Sequence, residues 1–320
     1  MATVPKMKAK YGTFYDKLHK TSKQLSVQSL YVYLRNVSRL RGLLHDSEEL
    51  PENGKWLLDK KLLTKFDTLD LNKRRLMSVA AVKGLKAYGI TSEEWNKRLA
   101  RASDAYDKQR KKRHITSKES SKWPQNGFQS LRTAAKDEKL LIKKVLKKDE
   151  KTLKDLIKIQ NWIILFLYSF HPIRLDFADV YLEKPVKGKK ENYLFKVPRK
   201  GWVLTLRKYK TAKFRGETEI KIARAPSRAL SMFVPLVKSL TTHRKLLTNS
   251  TGGPLSRNGL SKLLTKLTKK HLGVGFSASL IRVLFSTENI KTIEDASKIS
   301  NELMHNLKQS LAYTRKDVKP

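Results

Sequence analysis

The chain has 320 residues, no cysteine, and 69 lysines and arginines against 29 aspartates and glutamates, a formal charge of +40. Without cysteine there are no disulfides, thiolate nucleophiles or cysteine-based zinc sites, and a charge this large points to a polyanion bound in a salt-dependent way. Hydrophobic residues make up 39% and are spread along the whole length, enough for real cores, which excludes a disordered basic tail. No apolar run of about 20 residues is present and neither end reads as an amphipathic anchor, so no membrane partner is expected. The opening residues, Met1-Ala2-Thr3-Val4-Pro5-Lys6, lack the apolar core of a signal peptide. The expectation is an intracellular, nucleic-acid-facing protein that needs no metal and no cofactor.

The first hundred or so residues read as helical. Ser26 caps a run from Val27 to Leu44 in which Leu30, Leu34, Val37, Leu40 and Leu44 share one face. A Pro51-Glu52-Asn53-Gly54 turn leads to a second apolar set, Trp56, Leu57, Leu62, Leu63 and Phe66. Leu76, Val79, Ala80, Val82 and Leu85 predict a third helix ending near Gly89, and Thr91 or Ser92 opens a fourth, acidic at its start and basic at its end. The pattern fits a generic helical bundle and a DNA-clamping module equally.

Composition shifts at Lys108-Gln109-Arg110-Lys111-Lys112-Arg113-His114. That block fits a nuclear localisation signal, a phosphate-tracking strap or a solvated helix end. Residues 113–130, rich in Ser, Lys, Pro, Asn and Gly, read as a basic, polar linker between a helical domain, 1–112, and a second domain, 131–320. In the second, Leu140, Leu141, Val145 and Leu146 mark a helix, and residues 162–168 are apolar all round, as in a central helix. The period then changes to two. Residues 180–182, 193–197, 202–206 and 217–223 predict short antiparallel strands. Pro226 and Ser227 start another helix, and Ser256 caps one carrying Leu260, Leu263, Leu264 and Leu267. The expected fold is mainly α, two largely helical domains with a small antiparallel sheet in the second.

Five residues stand in settings that ask for more than solvation. Arg174 directly follows the apolar helix, where a guanidinium needs an exit or a partner, and Asp176 is the candidate partner. Lys210, in Lys208-Tyr209-Lys210-Thr211, lies at a strand end. Arg282 is flanked by apolar residues in Ser279-Leu280-Ile281-Arg282-Val283-Leu284-Phe285. His305 follows the ridge Ile293, Ala296, Ile299, Leu303, and Tyr313 comes shortly after. Alone, each has an ordinary structural reading: an ion pair, a solvated hairpin lysine, a cap, a packing anchor.

The ordered set, from about Phe166 to Lys316, resembles the tyrosine recombinase (integrase) family, with a tone closer to divergent recombinases of eukaryotic viruses and mobile elements. The resemblance implies site-specific cleavage and rejoining of double-stranded DNA through a covalent 3′-phosphotyrosine. It assigns Tyr313 as nucleophile, Lys210 as general acid, and Arg174, Arg282 and His305 as donors to the phosphate. It implies a core-binding N-terminal domain, self-association as a tetramer on two DNA sites, and a location with DNA, in the host nucleus if the source is viral or eukaryotic. Two positions depart from the pattern. Ser279 stands where the family commonly has His or Lys, so it offers a hydrogen bond but no proton relay. Only residues 314–320 follow the nucleophile, where many relatives use a longer tail to dock on a neighbouring protomer. Two alternatives share the residue set or the charge: a type IB topoisomerase and a DNA-binding protein that has lost catalysis.

Overall fold

The structure, a computed structural model, describes residues 3–45, 47 and 49–317. Its contacts divide the chain at the end of one long helix into a first unit, Met1–Lys112, and a second, Arg113–Pro320.

The first unit is built from α1 (Val4–Thr21), α2 (Val27–Leu44), α3 (Lys60–Asp67), α4 (Leu71–Ala87) and α5 (Glu93–Lys112). Ser26 Oγ, Asp59 and Asp70 each accept from a backbone N–H of the helix they open, satisfying donors the first turn leaves unpaired. The leucine face of α2 meets α1 through Met7, Tyr11, Phe14, Tyr15 and Leu18, which are all buried. A second cluster gathers Leu40, Leu57, Leu62, Phe66 and Trp95, and the Trp95 indole N–H donates to Leu57 O at 2.7 Å. In α4 the inward face is Met77, Ala80, Ala81 and Leu85, whereas Leu76 is exposed. The basic block at 108–112 is the last turn of α5, where cations complement the carbonyl end of the helix.

The second unit begins at once. Residues 113–130, anticipated as a linker, carry α6 (Ser117–Ser120), opened by a Thr116–Glu119 capping box. Then come α7 (Gln129–Leu141), α8 (Lys143–Leu146) and α9 (Leu153–Tyr168). In α7 the buried face is Leu131, Ala134, Ala135 and Glu138. Leu140 and Leu141 point to solvent, and Ile142 and Val145 take the core positions next to them. The apolar helix α9 is central: Leu156, Ile159, Ile163, Ile164, Leu165 and Tyr168 are buried, with α7 and α11 (Arg224–Leu240) packed on it, together with α12 (Arg257–Leu272).

Between α9 and α11 lies a sheet of order β1-β2-β3-β4: β1 (Val180–Tyr181), β2 (Asn192–Val197), β3 (Gly201–Leu206) and β4 (Thr218–Lys221), with α10 (Ala212–Arg215) between the last two. The last three strands form an antiparallel meander in which Leu194 faces Leu204 and Leu204 faces Ile220. The first pairs parallel to β2, so the sheet is mixed. The connection over residues 183–191 is long enough to carry the chain back to the start side, which a tight hairpin cannot do. The free edge of β1 is covered by the chain at 244–246 through two backbone hydrogen bonds. The unit closes with α13 (Ala278–Asn289), α14 (Ile293–Glu302) and α15 (Leu307–Leu311). Among the described residues no helix is long and apolar enough to cross a membrane.

The turn out of α9 is fixed by a neutral histidine. His171 Nε2 accepts from the Ala223 N–H at 3.0 Å, and burial pushes its pKa down to about 4. Because the folded value lies below the unfolded one of about 6.5, the contribution is complete above pH 6.5 and is lost as pH falls toward 4. The loss is at most about 1.4 kcal/mol per pH unit. His171→Asn keeps an acceptor but cannot be protonated. Its deficit in urea unfolding relative to the natural chain should therefore shrink between pH 7 and pH 5; parallel pH profiles would remove the titration from His171.

Candidate active site

The site is assembled at the junction of four segments of the second unit. The Tyr168 hydroxyl donates to Arg174 O at 2.9 Å and fixes the turn after α9. Arg174 is half-buried, and its Nη1 is enclosed with no hydrogen-bond partner. Arg282 sits in the middle of α13, 6% exposed, with Nε donating to Ala278 O at 3.3 Å. Its Nη1 meets His305 Nε2 at 3.0 Å.

His305 reaches that position by a sharp reversal. Thr292 and Asp295 cap α14 reciprocally; at its far end Met304 adopts φ 53°, left-handed backbone that is costly for a residue with a side chain. The reversal holds because Met304 is fully buried and the His305 N–H reaches Ser300 O at 2.8 Å. Asn306 then caps α15, whose end delivers Tyr313. The Tyr313 ring lies 4.8 Å from the His305 ring and 5.1 Å from the Arg282 guanidinium carbon, centroid distances of ring and cation–π contact.

The charge state follows from these contacts. Burial lowers the pKa of His305 to about 2, reinforced by the nearby cations Arg174, Arg282, Arg215 and Lys210. The imidazole is therefore neutral. A guanidinium only donates, so Nε2 is the acceptor and the proton sits on Nδ1. His305 Nδ1 is buried and unpartnered, as is Arg174 Nη1. Burial also lowers the pKa of Arg174 and Arg282, with Tyr313 as the largest opposing influence on both; from so high a starting value both guanidinium groups stay charged. Two unsatisfied donors beside a buried guanidinium are unfavourable without an anion.

Lys210 is exposed in the turn after β3, within electrostatic reach of His305. The turn is tied to the His305 loop by Thr211 Oγ1 donating to Met304 O at 3.0 Å. Asp176 is fully buried but forms no ion pair with Arg174. Its Oδ1 accepts from Arg257 Nη2 at 2.9 Å, and Arg257 Nη1 reaches Asp179 Oδ2 at 3.0 Å. Burial raises the pKa of Asp176, with Arg257 and Arg174 acting against it. Ser279 stands apart: it is exposed and lines a separate cavity of about 220 Å³ with Thr116, Lys118 and Glu119.

Four further residues, Arg257, Glu119, Arg315 and Arg113, shape the site without a family motif to mark them. Arg257 follows the Ser256 cap in the first turn of α12, where an acid would suit the helix better; a cation at that place is a legible sign of another task. Glu119, held by the Thr116 box, pairs with Arg315 through Nε at 2.9 Å and Nη2 at 2.5 Å, and Arg113 Nη1 donates to Thr314 Oγ1 at 2.9 Å. With the Arg315 N–H on Thr287 Oγ1, these bonds anchor the chain just beyond Tyr313. The Thr116–Glu119 box is readable in sequence; that Arg315 completes it is not.

No family model and no curated protein matches the chain. Among solved structures it is similar to XerH site-specific recombinase bound to its difH substrate in a pre-cleavage complex. The two are 11% identical, with 94% of this chain and 82% of that one covered at a TM-score of 0.51. It is also similar to a lambda integrase in a tetramer bound to a Holliday junction, 13% identical, with 99% and 84% covered at 0.50. At such identities the likeness establishes a shared fold, mainly helical with the small sheet in the second unit.

Replacing Arg257 with Ala leaves the Asp176 carboxyl enclosed with no cation on it. The expected loss is about 2–3 kcal/mol in urea unfolding, below the range for fully buried pairs because Arg257 is partly exposed. In an Asp176→Asn background the same change should cost less than half as much; equal losses in both backgrounds would contradict the pairing.

Proposed function

We propose that this chain cleaves and rejoins DNA strands as a tyrosine recombinase, through a covalent 3′-phosphotyrosine at Tyr313. The observation that carries the reading is the pair of buried donors without partners, Arg174 Nη1 and His305 Nδ1, beside Arg282 with the Tyr313 ring packed against it. A DNA phosphodiester supplies the missing anion, and the +40 charge brings the duplex to it.

In the reaction the Tyr313 oxygen attacks phosphorus. The O–P bond to tyrosine forms as the bond from phosphorus to the 5′ oxygen breaks. Charge gathers on the non-bridging oxygens, where the guanidinium groups of Arg174 and Arg282 donate in pairs and the His305 Nδ1–H adds a further donor. The phenolic proton leaves to water as the oxygen attacks, and the two arginines stabilise the negative charge that develops there. Lys210 gives a proton to the departing 5′ oxygen. Attack on the phosphotyrosine by a 5′ hydroxyl reverses each step and reseals a strand. Tyr313 becomes a leaving group with its phosphate charge still neutralised by the same donors.

Self-association on DNA belongs to the same reading, since the lambda integrase of like fold is a tetramer on its junction. Residues 314–317 are bonded within their own unit, to Arg113, His114 and Glu119.

A duplex nicked close to the cleavage position traps the intermediate, because the short fragment diffuses away. The natural chain should accumulate a denaturation-resistant adduct. Arg174→Ala and Arg282→Ala should bind DNA with nearly unchanged affinity and form the adduct about 100-fold more slowly, the usual cost of one preorganised donor. Normal cleavage by either variant would remove that arginine from the chemistry. Relaxation of supercoiled plasmid without joining of two sites would favour a type IB topoisomerase, and binding with no adduct from the natural chain would leave a binding protein.

A further inference from the structure

Phe214 is the most exposed large apolar side chain among the described residues, at 90%. One exposed apolar residue on a surface is ordinary. What is not ordinary is how firmly this one is presented. The turn that carries it, α10, is closed by backbone bonds from Phe214 N and Arg215 N to Thr211 O and from Gly216 N to Ala212 O. The Tyr209 hydroxyl donates to Gly216 O at 2.9 Å, and Gly216 takes φ 68°, a backbone conformation that glycine adopts without the strain other residues would meet. From outside, Arg215 grips the end of α14 through Ser300 O and Asn301 Oδ1, both at 3.0 Å, while Thr211 is bonded to Met304 O. A benzyl side chain is thus held in water on a turn anchored at both ends.

The surroundings select the ligand. Between residues 207 and 217 the other exposed side chains are Lys208, Lys210, Lys213 and Glu217. A protein interface would set further apolar groups around the ring; a cationic surround with a single aromatic in it is the composition of a single-stranded nucleic-acid contact, charges for the phosphates and a ring for a base. The same turn carries Lys210 and is bonded to the residue preceding His305, so the ring is borne on a turn that borders the candidate site.

We propose that Phe214 stacks on an unpaired or unstacked base beside the scissile phosphate, and so favours DNA that is opened at that point over a closed duplex. The inference rests on the proposed function for its DNA ligand and extends it to a named base contact. The ring also explains why Arg215 and Thr211 immobilise the turn: an aromatic fixed before binding loses less freedom on stacking.

The test uses the full chain carrying Tyr313→Phe, so that nothing is cut, with Phe214→Ala, Phe214→Leu and Phe214→Trp added one at a time. Two probes are compared, an intact duplex and the same duplex with a short gap of unpaired bases at the nick. The parent should prefer the gapped probe. Phe214→Ala should lose that preference through a drop of about tenfold in affinity for the gapped probe, the loss of one base–aromatic stack. Phe214→Trp should retain it. Phe214→Leu, apolar but without a flat face, should behave as the alanine variant, and the salt dependence of every variant should match the parent because no phosphate contact is touched. A parent with no preference, or a Phe214→Ala variant that keeps the parent's preference, overturns the inference. These readouts concern binding only, so they are independent of the adduct assay: absence of an adduct from the natural chain defeats the catalytic reading and leaves this result standing or falling alone.

Discussion

The hydrogen bond between Arg282 and His305 is the constraint on which the second unit's site depends. Both partners are almost wholly enclosed, so neither finds water as a substitute. A buried guanidinium without an acceptor is strongly unfavourable. Burial, reinforced by four nearby cations, keeps the imidazole uncharged, and it becomes that acceptor. The bond therefore decides a tautomer, and the tautomer turns the Nδ1–H into a donor with no partner among the described residues. It also joins the middle of α13 to the loop beyond α14, and the Tyr313 ring packs against both partners.

Around that bond the fold supplies restraint from several directions. Met304 turns the chain with left-handed backbone and is held there by burial and by Thr211. Glu119 and Arg315 secure the residues after the tyrosine; although burial tends to raise the Glu119 carboxyl, the Arg315 hydrogen bonds hold it below its ordinary value. Arg257 pairs with the buried Asp176, and Tyr168, at the end of the central helix, fixes the Arg174 carbonyl. Gln160, fully buried in α9, binds Thr248 by both ends of its amide and locks a loop to the same helix. A donor site without its anion is electrostatically strained, and these contacts oppose its relaxation.

Much of the fold was legible because it depends on local periodicity. The leucine face of α2, its Ser26 cap, the all-apolar α9 and the strands after it follow from spacings that only one secondary structure satisfies. The opening helix was less visible, since its buried face is largely aromatic, interleaved with lysines and kinked at Gly12. Leu76, Leu140 and Leu141 misled because they are hydrophobic yet exposed, while the smaller Ala80 and Ala134 occupy the core. Tertiary partners escape sequence reading altogether. Asp176 lies two residues from Arg174 and 81 from Arg257, yet it pairs with the distant one. Glu119 and Arg315 are separated by 196 positions. Ser279 is one turn from Arg282 on the same helix, and its face is turned to another cavity.

The state of the His305 ring is the most direct measure of whether the site is as described. Nitrogen NMR on protein labelled at histidine, followed from pH 8 to pH 5 with His305→Asn for assignment, reads charge and tautomer together. The expected result is a ring that stays neutral across that range with its proton on Nδ1, and whose Nδ1 resonance moves when nicked duplex is added to Tyr313→Phe protein. A ring that protonates near the ordinary histidine value, or that carries its proton on Nε2 facing Arg282, would contradict the donor arrangement from which the function is inferred.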